Sequence, residues 1–165
     1  MSNLVFIGLP HAGKSLLGKK CSDILKKGFI ETDWMIQYKY NAPLKNIIHK
    51  RGINGFLNIE NDILQTIHSN NSIISTGGSA VYSKPGIFHL RNNLNSEIIH
   101  LQLSFDEFKN RIDSFHERGI VNPNQLDLED FYNERIRLCN TYSTHNINVN
   151  DKKKGLNELL DLCNR

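Results

Sequence analysis

The stretch Gly8-Leu9-Pro10-His11-Ala12-Gly13-Lys14-Ser15 constrains this chain more than any other. It fits G-x-x-x-x-G-K-[ST], the P-loop pattern. Before it, Leu4-Val5-Phe6-Ile7 is a short apolar run that predicts a buried strand. After it, Leu16, Leu17, Lys19, Lys20, Ile24 and Leu25 suit a helix with one apolar face. Strand, glycine-rich turn and helix in succession turn the pattern into a site. Gly8 and Gly13 allow backbone turns that a side chain would block, so N–H groups can point inward at phosphate oxygens. The helix that follows aims its positive dipole end at the same place. Lys14 suits the β- and γ-phosphates as a mobile point charge, and the Ser15 hydroxyl suits Mg²⁺. The alternative, a glycine-rich turn that binds nothing, is disfavoured because the pattern is complete and correctly flanked.

With 165 residues the chain is expected to form a single domain, residues 1–165. A net charge of +3, dispersed along the sequence, argues against a nucleic-acid partner. The only basic cluster, Lys152-Lys153-Lys154, reads as a solvated turn before the last helix. Cys21, Cys139 and Cys163 are odd in number and far apart, which suggests reduced thiols and a cytoplasmic location rather than a disulfide framework or a zinc site. No histidine pair has metal-ligand spacing. A signal peptide and a membrane span are not expected.

Strand and helix signals alternate along the chain. Phe29 to Asp33 reads as strand two, ending in carboxylates, and Trp34 to Tyr40 as a short helix. Pro43 opens a helix ended by Gly52, and Ile53 to His68 repeats apolar residues at helical spacing. Ser72 to Thr76 predicts strand three, followed by a second glycine-rich turn, Gly77-Gly78-Ser79, and a helix from Lys84 to Asn93. Strand four is expected at Ile98 to Leu103 and a helix at Asp106 to Ile112. Residues 113–125 are polar and aperiodic and read as a mobile lid loop. A helix over Asp127 to Tyr142, strand five at Asn146 to Val149 and a closing helix at Leu156 to Cys163 complete the pattern. The alternation predicts an α/β fold of P-loop NTPase type: three layers, a five-stranded parallel sheet with helices on both faces, and a small lid. Ligands in such sheets bind at the carboxyl ends of strands, where the P-loop, Glu31, Asp33, Gly77 and Gly78 all fall.

Asp33, just past strand two, has the chemistry to accept the proton of an acceptor hydroxyl; it equally suits the N-cap of the next helix. Glu31, two residues earlier and expected on the same strand face, suits Mg²⁺ held through water. Gly77 and Gly78 allow a ligand close to the backbone, or make a plain turn. Arg111 and Arg118 bracket the lid, and a lid arginine can close over a nucleotide. Arg135 and Arg137 lie two apart on one helix, so only one is expected to face the site. Arg135 has the fork geometry to clamp a carboxylate.

In this order the pieces resemble the shikimate kinases, small P-loop kinases of the nucleoside-monophosphate-kinase fold. The likeness runs from Leu4 to Val149: the P-loop, Glu31-Thr32-Asp33, a G-x-x-x-F-x-x-x-E helix at Gly52, Phe56 and Glu60, Thr76-Gly77-Gly78-Ser79, Arg118, and Glu134-Arg135. The resemblance implies ATP-dependent phosphorylation of the shikimate 3-hydroxyl, a step in chorismate and aromatic amino acid biosynthesis. It implies Lys14, Asp33 and Arg118 as catalytic residues. It implies ATP contacts from His11, Ala12, Gly13, Lys14, Ser15, Leu16 and Arg118, and acceptor contacts from Asp33, Gly77, Gly78 and Arg135. Mg²⁺ would sit at Ser15, with Glu31 reaching it through water, and a monomer is expected. The chain departs from the family where an arginine usually follows the Phe (here Leu57), at the third Gly of the turn (Ser79), in the lid (Arg118-Gly119-Ile120-Val121) and after Arg135 (Arg137-Leu138-Cys139). Most of these changes fall on the acceptor side. Three further readings therefore stand beside shikimate kinase: a relative acting on another small hydroxylated metabolite, a silent nucleotide-binding module, and a nucleotide kinase. The last is ranked lowest because Trp34 to Arg51 offers only Arg51 for an acceptor phosphate.

Overall fold

The apolar run at Leu4–Ile7 forms strand β1 at the centre of a sheet whose other strands are β2 (Gly28–Glu31), β3 (Ser72–Ser75), β4 (Glu97–Gln102) and β5 (His145–Asn148). The computed structural model describes residues 2–112 and 120–163. The order is β2-β3-β1-β4-β5, with every pairing parallel. The chain leaves β1 toward β3 and β2, then crosses back to β4 and β5. The carboxyl end of β1 therefore lies at the point where the connections diverge, the usual ligand crevice of such sheets.

Seven α-helices accompany the strands among the described residues: α1 (Lys14–Leu25), α2 (Thr32–Tyr40), α3 (Leu44–Thr66), α4 (Lys84–Phe88), α5 (Phe105–Ile112), α6 (Leu128–Tyr142) and α7 (Lys152–Cys163). The two sides of β1 show why the sheet is covered on both faces. Leu4 and Phe6 pack with Leu17 and Cys21 of α1 and Leu159 of α7, whereas Val5 and Ile7 pack with Leu64 of α3, Ile87 of α4 and Cys139 of α6. A third cluster joins Ile36 of α2 and Ile47, Phe56, Ile59 and Ile63 of α3 to Val121, within the expected lid. That cluster builds the wall facing the P-loop.

The two helices expected on either side of Gly52 are present as one element, α3, broken at Gly52 (φ 70°, ψ 171°). Two expectations are corrected. Strand two stops at Glu31, so Asp33 belongs to the first turn of α2. The closing helix starts at Lys152, so the three lysines, exposed as expected, form its first turn rather than a turn before it. Asp151 explains this: its carboxylate accepts from the Lys153 and Lys154 amides at 2.8 and 3.1 Å and caps the helix. In the lid, residues 113–119, including Arg118, lie outside the described residues. The remainder is irregular chain held by Asn122, which exchanges hydrogen bonds with the main chain of Leu126.

His100 on β4 is buried, and its Nδ1 pairs with Asn140 Oδ1 at 3.0 Å, while Nε2 has no partner among the described residues. Burial lowers its pKa from the ordinary 6.5 to about 4, aided by the nearby Lys14 charge and opposed by the Asn140 and Asn146 bonds. The unfolded chain thus binds this proton more tightly than the native one. Stability is full above the ordinary value and is lost as pH falls through about 4. Urea titrations across that window should show a decline on the order of 3 kcal/mol attributable to His100, which His100→Gln removes.

Candidate active site

Three backbone conformations set the phosphate loop. Gly8 (φ 151°), His11 (φ 60°) and Gly13 (φ 90°) all lie on the positive side, and a Cβ at Gly8 would meet the Leu101 carbonyl oxygen at 2.7 Å. Lys14 opens α1 and is only 7% exposed. Its ammonium donates to the carbonyls of Gly8 and Leu9 at 3.0 and 2.8 Å, so the charge lies folded across the loop. Burial lowers its pKa, with Asp33 foremost among the groups that oppose this. The charge is held inside the site and is not spread into solvent.

A cavity of about 420 Å³ opens above the loop. His11, Gly13, Lys14, Ser15 and Leu16 form one side, and Asp33, Phe56, Gly78, Ser79, Val121 and Arg135 form the other. The residues expected at the nucleotide and at the acceptor thus share one space. Ala12 buries its methyl and donates its N–H to the Leu9 carbonyl at 3.2 Å, so it shapes the loop.

Contrary to the expectation from the sequence, Glu31 and Asp33 do not share a strand face. Glu31 ends β2 at the N-cap position of α2, and Asp33 sits in the first helical turn, where the helix dipole favours a carboxylate. The switch to helix is fixed by Thr32, whose hydroxyl accepts from the Gly77 amide at 3.0 Å and ties the end of β2 to the second glycine-rich turn. Asp33 also borders a neighbouring cavity of about 330 Å³ together with Ser15 and Glu31. Glu31 is nearly fully buried, and its Oε2 has no hydrogen-bond partner among the described residues. An unpaired buried carboxylate oxygen beside a serine hydroxyl is an all-oxygen donor set that suits a hard divalent cation. No cluster of three His, Cys, Asp or Glu occurs among the described residues.

The Gly77-Gly78-Ser79 turn carries more than a ligand approach. A Cβ at Gly77 would lie 2.4 Å from Glu60 Oε1 and 2.7 Å from Asp33 Oδ1, so only glycine lets these carboxyls close in. Ser79 donates its hydroxyl to Glu60 Oε2 at 2.6 Å. Glu60 was visible in the sequence as a motif residue, but its partners are distant in the chain and no local pattern announced its role. Gly77→Ala is expected to destabilise the fold by roughly 1–3 kcal/mol, measured by urea denaturation, and to cut turnover with it.

Arg135 is 1% exposed, and each of its three nitrogens donates to a protein oxygen. It donates to the carbonyls of Gly78 and Val121 and, at 3.2 Å, to the Tyr82 hydroxyl. Its guanidinium lies 4.5 Å from the Tyr82 ring centre and 4.7 Å from that of Phe131. Tyr82 in turn donates to Glu134, which also accepts from Asn124 at 2.6 Å. The predicted clamp residue therefore faces the cavity while bridging the glycine turn and Val121, in the expected lid segment. Arg137 is exposed on the opposite side of α6, as the two-residue spacing implied. Arg111 laces the P-loop to the end of β5, donating to the carbonyls of His11 (3.2 Å), Val149 (3.2 Å) and Asn150 (3.0 Å) while paired with Glu107 at 2.6 Å. Leu57 faces a different groove, beside Asn54, Asn58 and Tyr82. Two cavity residues had no sequence signal: Lys152, near Gly13, and Val121.

A parallel sheet with a lysine-bearing phosphate loop at its switch point, and a carboxylate across the cavity from it, defines a P-loop kinase acting on a hydroxyl group. A family model described as shikimate kinase matches residues 10–164. A shikimate kinase of Clostridium botulinum is 30% identical over 154 residues, 91% of this chain and 89% of that one. A Staphylococcus aureus shikimate kinase is 34% identical over 140 residues, 84% and 79% of the two chains. The solved shikimate kinase of Acinetobacter baumannii, in complex with shikimate, superposes with a TM-score of 0.79 at 21% identity, covering 100% of this chain and 95% of that chain. The chain belongs to the shikimate kinase family, whose members are ATP-using phosphotransferases.

Proposed function

We propose that this chain transfers the γ-phosphoryl group of ATP to the 3-hydroxyl of shikimate, with Asp33 as the group that receives the hydroxyl proton. The observation that carries this reading is the shared cavity, in which Lys14 and Ser15 face Asp33, Gly78 and Arg135. Family membership and the shikimate bound to the A. baumannii relative support it. The acceptor oxygen attacks the γ-phosphorus, the bond from that phosphorus to the bridging oxygen breaks, and ADP leaves with the electron pair. The proton passes to Asp33. His11, Gly13, Ser15 and Leu16 hold the nucleotide, with Ala12 shaping their loop. Lys14 swings from the Gly8 and Leu9 carbonyls to the phosphates and offsets the charge of the transferring group. Gly77 and Gly78 bring main chain against the acceptor, and Arg135 reads its carboxylate.

Ser15, with Glu31 through water, would hold a Mg²⁺ ion, which would supply positive charge to offset the negative charge of the phosphates. Arg118 is proposed to close over ATP from a lid spanning approximately residues 113–125. The rest of the reading is a single 1–165 domain working as a monomer in the cytoplasm on small molecules, without nucleic acid or membrane. Three free thiols support the reducing compartment, and no helix among the described residues is long and apolar enough to cross a membrane.

The test is ADP release from ATP with a panel of small hydroxy acids, each with and without Mg²⁺. Shikimate should give the highest kcat/KM, and chelation of Mg²⁺ should abolish release. A better substrate elsewhere in the panel would move the assignment to that acceptor. ATP binding with no stimulation by any acceptor would favour the silent module.

A further inference from the structure

Glu60 is a buried carboxyl that the transfer chemistry above does not use. It projects from α3 with no exposed surface. Its Oε2 accepts from Ser79, while Oε1 has no hydrogen-bond partner among the described residues. The free oxygen is not aimed at apolar packing. It converges with Asp33 Oδ1, from α2, on the single point beside Gly77 where a Cβ would touch both, at 2.4 and 2.7 Å. Two carboxylates that reach the same point repel when both are anionic, and the buried one is the readier to take up a proton. Asp33 borders the cavity and Glu60 does not, so Glu60 is the member to be neutralised.

We propose that Glu60 is a positioning residue for Asp33: it carries its proton on the oxygen beside Gly77, presents that O–H toward the Asp33 carboxylate, and leaves Asp33 the one anion that faces the acceptor hydroxyl. This rests on the reading of Asp33 as the proton-accepting group. Ser79 fixes the arrangement, because its hydroxyl holds Oε2 and so turns Oε1 toward Asp33. The charges that act on Glu60 come from three helices: Asp33 of α2, Arg135 of α6 and Lys14 of α1. Burial raises the Glu60 pKa to about 7; the Ser79 hydrogen bond lowers it, the Asp33 charge raises it, and Arg135 and Lys14 lower it. The turn thus couples α3 to the base on α2.

Infrared titration of the protonated-carboxyl stretch tests this without reference to turnover. The wild type should show a band well below its midpoint of about 7 that disappears above it, and Glu60→Gln, a near-isostere chosen so that the fold survives, should lack that band. In Asp33→Asn the midpoint should fall by roughly one pH unit, because the repelling charge is gone. Absence of the band in the wild type, or a midpoint unmoved in Asp33→Asn, overturns the proposal. The pH profile of kcat then reads the positioning role. The wild-type inflection near about 7 should vanish in Glu60→Gln. An identical profile in both proteins would reduce Glu60 to a structural proton and overturn the proposal. A titrating, Asp33-sensitive band in a protein that fails to phosphorylate shikimate would instead sink the functional reading of Asp33 while leaving the coupling intact.

Discussion

Asp33→Asn is expected to lower kcat for shikimate by at least about a hundredfold, the scale of a lost general base, while the melting temperature stays close to that of the wild type. Asparagine keeps the shape of the side chain beside Gly77 and can still orient an acceptor hydroxyl, but it cannot take its proton. The fold has little at stake in the charge itself. Asp33 sits at the cavity edge in the first turn of α2, and the tie that locks this region is made by Thr32, whose hydroxyl holds the Gly77 amide. The dipole contribution of a carboxylate in a first turn is only about 0.3–1 kcal/mol. Steady-state kinetics and thermal melts on the same preparation check both halves. A large fall in melting temperature, or turnover within a few-fold of wild type, would contradict the assignment of Asp33 as base.

Arg135→Met carries the second large effect, and it falls on binding and stability together. The guanidinium is fully buried, donates to the Gly78 and Val121 carbonyls and to Tyr82, and stacks between Tyr82 and Phe131. Removing it leaves buried carbonyls without donors, at a cost of about 3 kcal/mol. Loss of the forked cation should also raise the shikimate KM by roughly a hundredfold or more. Arg135→Lys separates the two roles: it keeps the charge but cannot span both carbonyls, so KM should recover more than stability does. Urea denaturation and KM measurements on both variants decide it. A Met variant that melts like wild type and binds shikimate normally would show that the contacts of Arg135 are incidental.

The phosphate half of this site is legible in the sequence because its chemistry is backbone chemistry. Gly8, Gly13, Lys14 and Ser15 are adjacent, and the strand before them and helix after them follow from local apolar patterning. The same patterning gives the five strands and the break at Gly52. What it misses depends on contacts between distant residues. Strand two extends past Glu31 on paper, because nothing local shows that Thr32 will be held by Gly77, forty-five positions on. The lysines at 152–154 read as a solvated turn because a positive run opposes the helix dipole; the Asp151 cap outweighs it. Glu60 lies on a helix where apolar neighbours dominate the pattern, and only the folded chain brings Ser79 and Asp33 to it. Arg135 is found in the sequence as a clamp, but its engagement by the Val121 carbonyl requires the path of the chain within the expected lid.

The departures at Leu57 and Ser79 also acquire physical content. Leu57 faces a groove apart from the cavity above the phosphate loop, and among the described residues Arg135 is the one arginine that lines that cavity. Ser79 supplies a hydrogen bond that a third glycine lacks, and it directs that bond at Glu60.

Phosphorus NMR of the purified protein with Mg·ATP and shikimate reads out whether this cavity joins the two. One new phosphomonoester, at the 3-hydroxyl, is expected to appear in step with ADP and only when shikimate is present. ADP accompanied only by inorganic phosphate, at a rate that shikimate does not change, would contradict it.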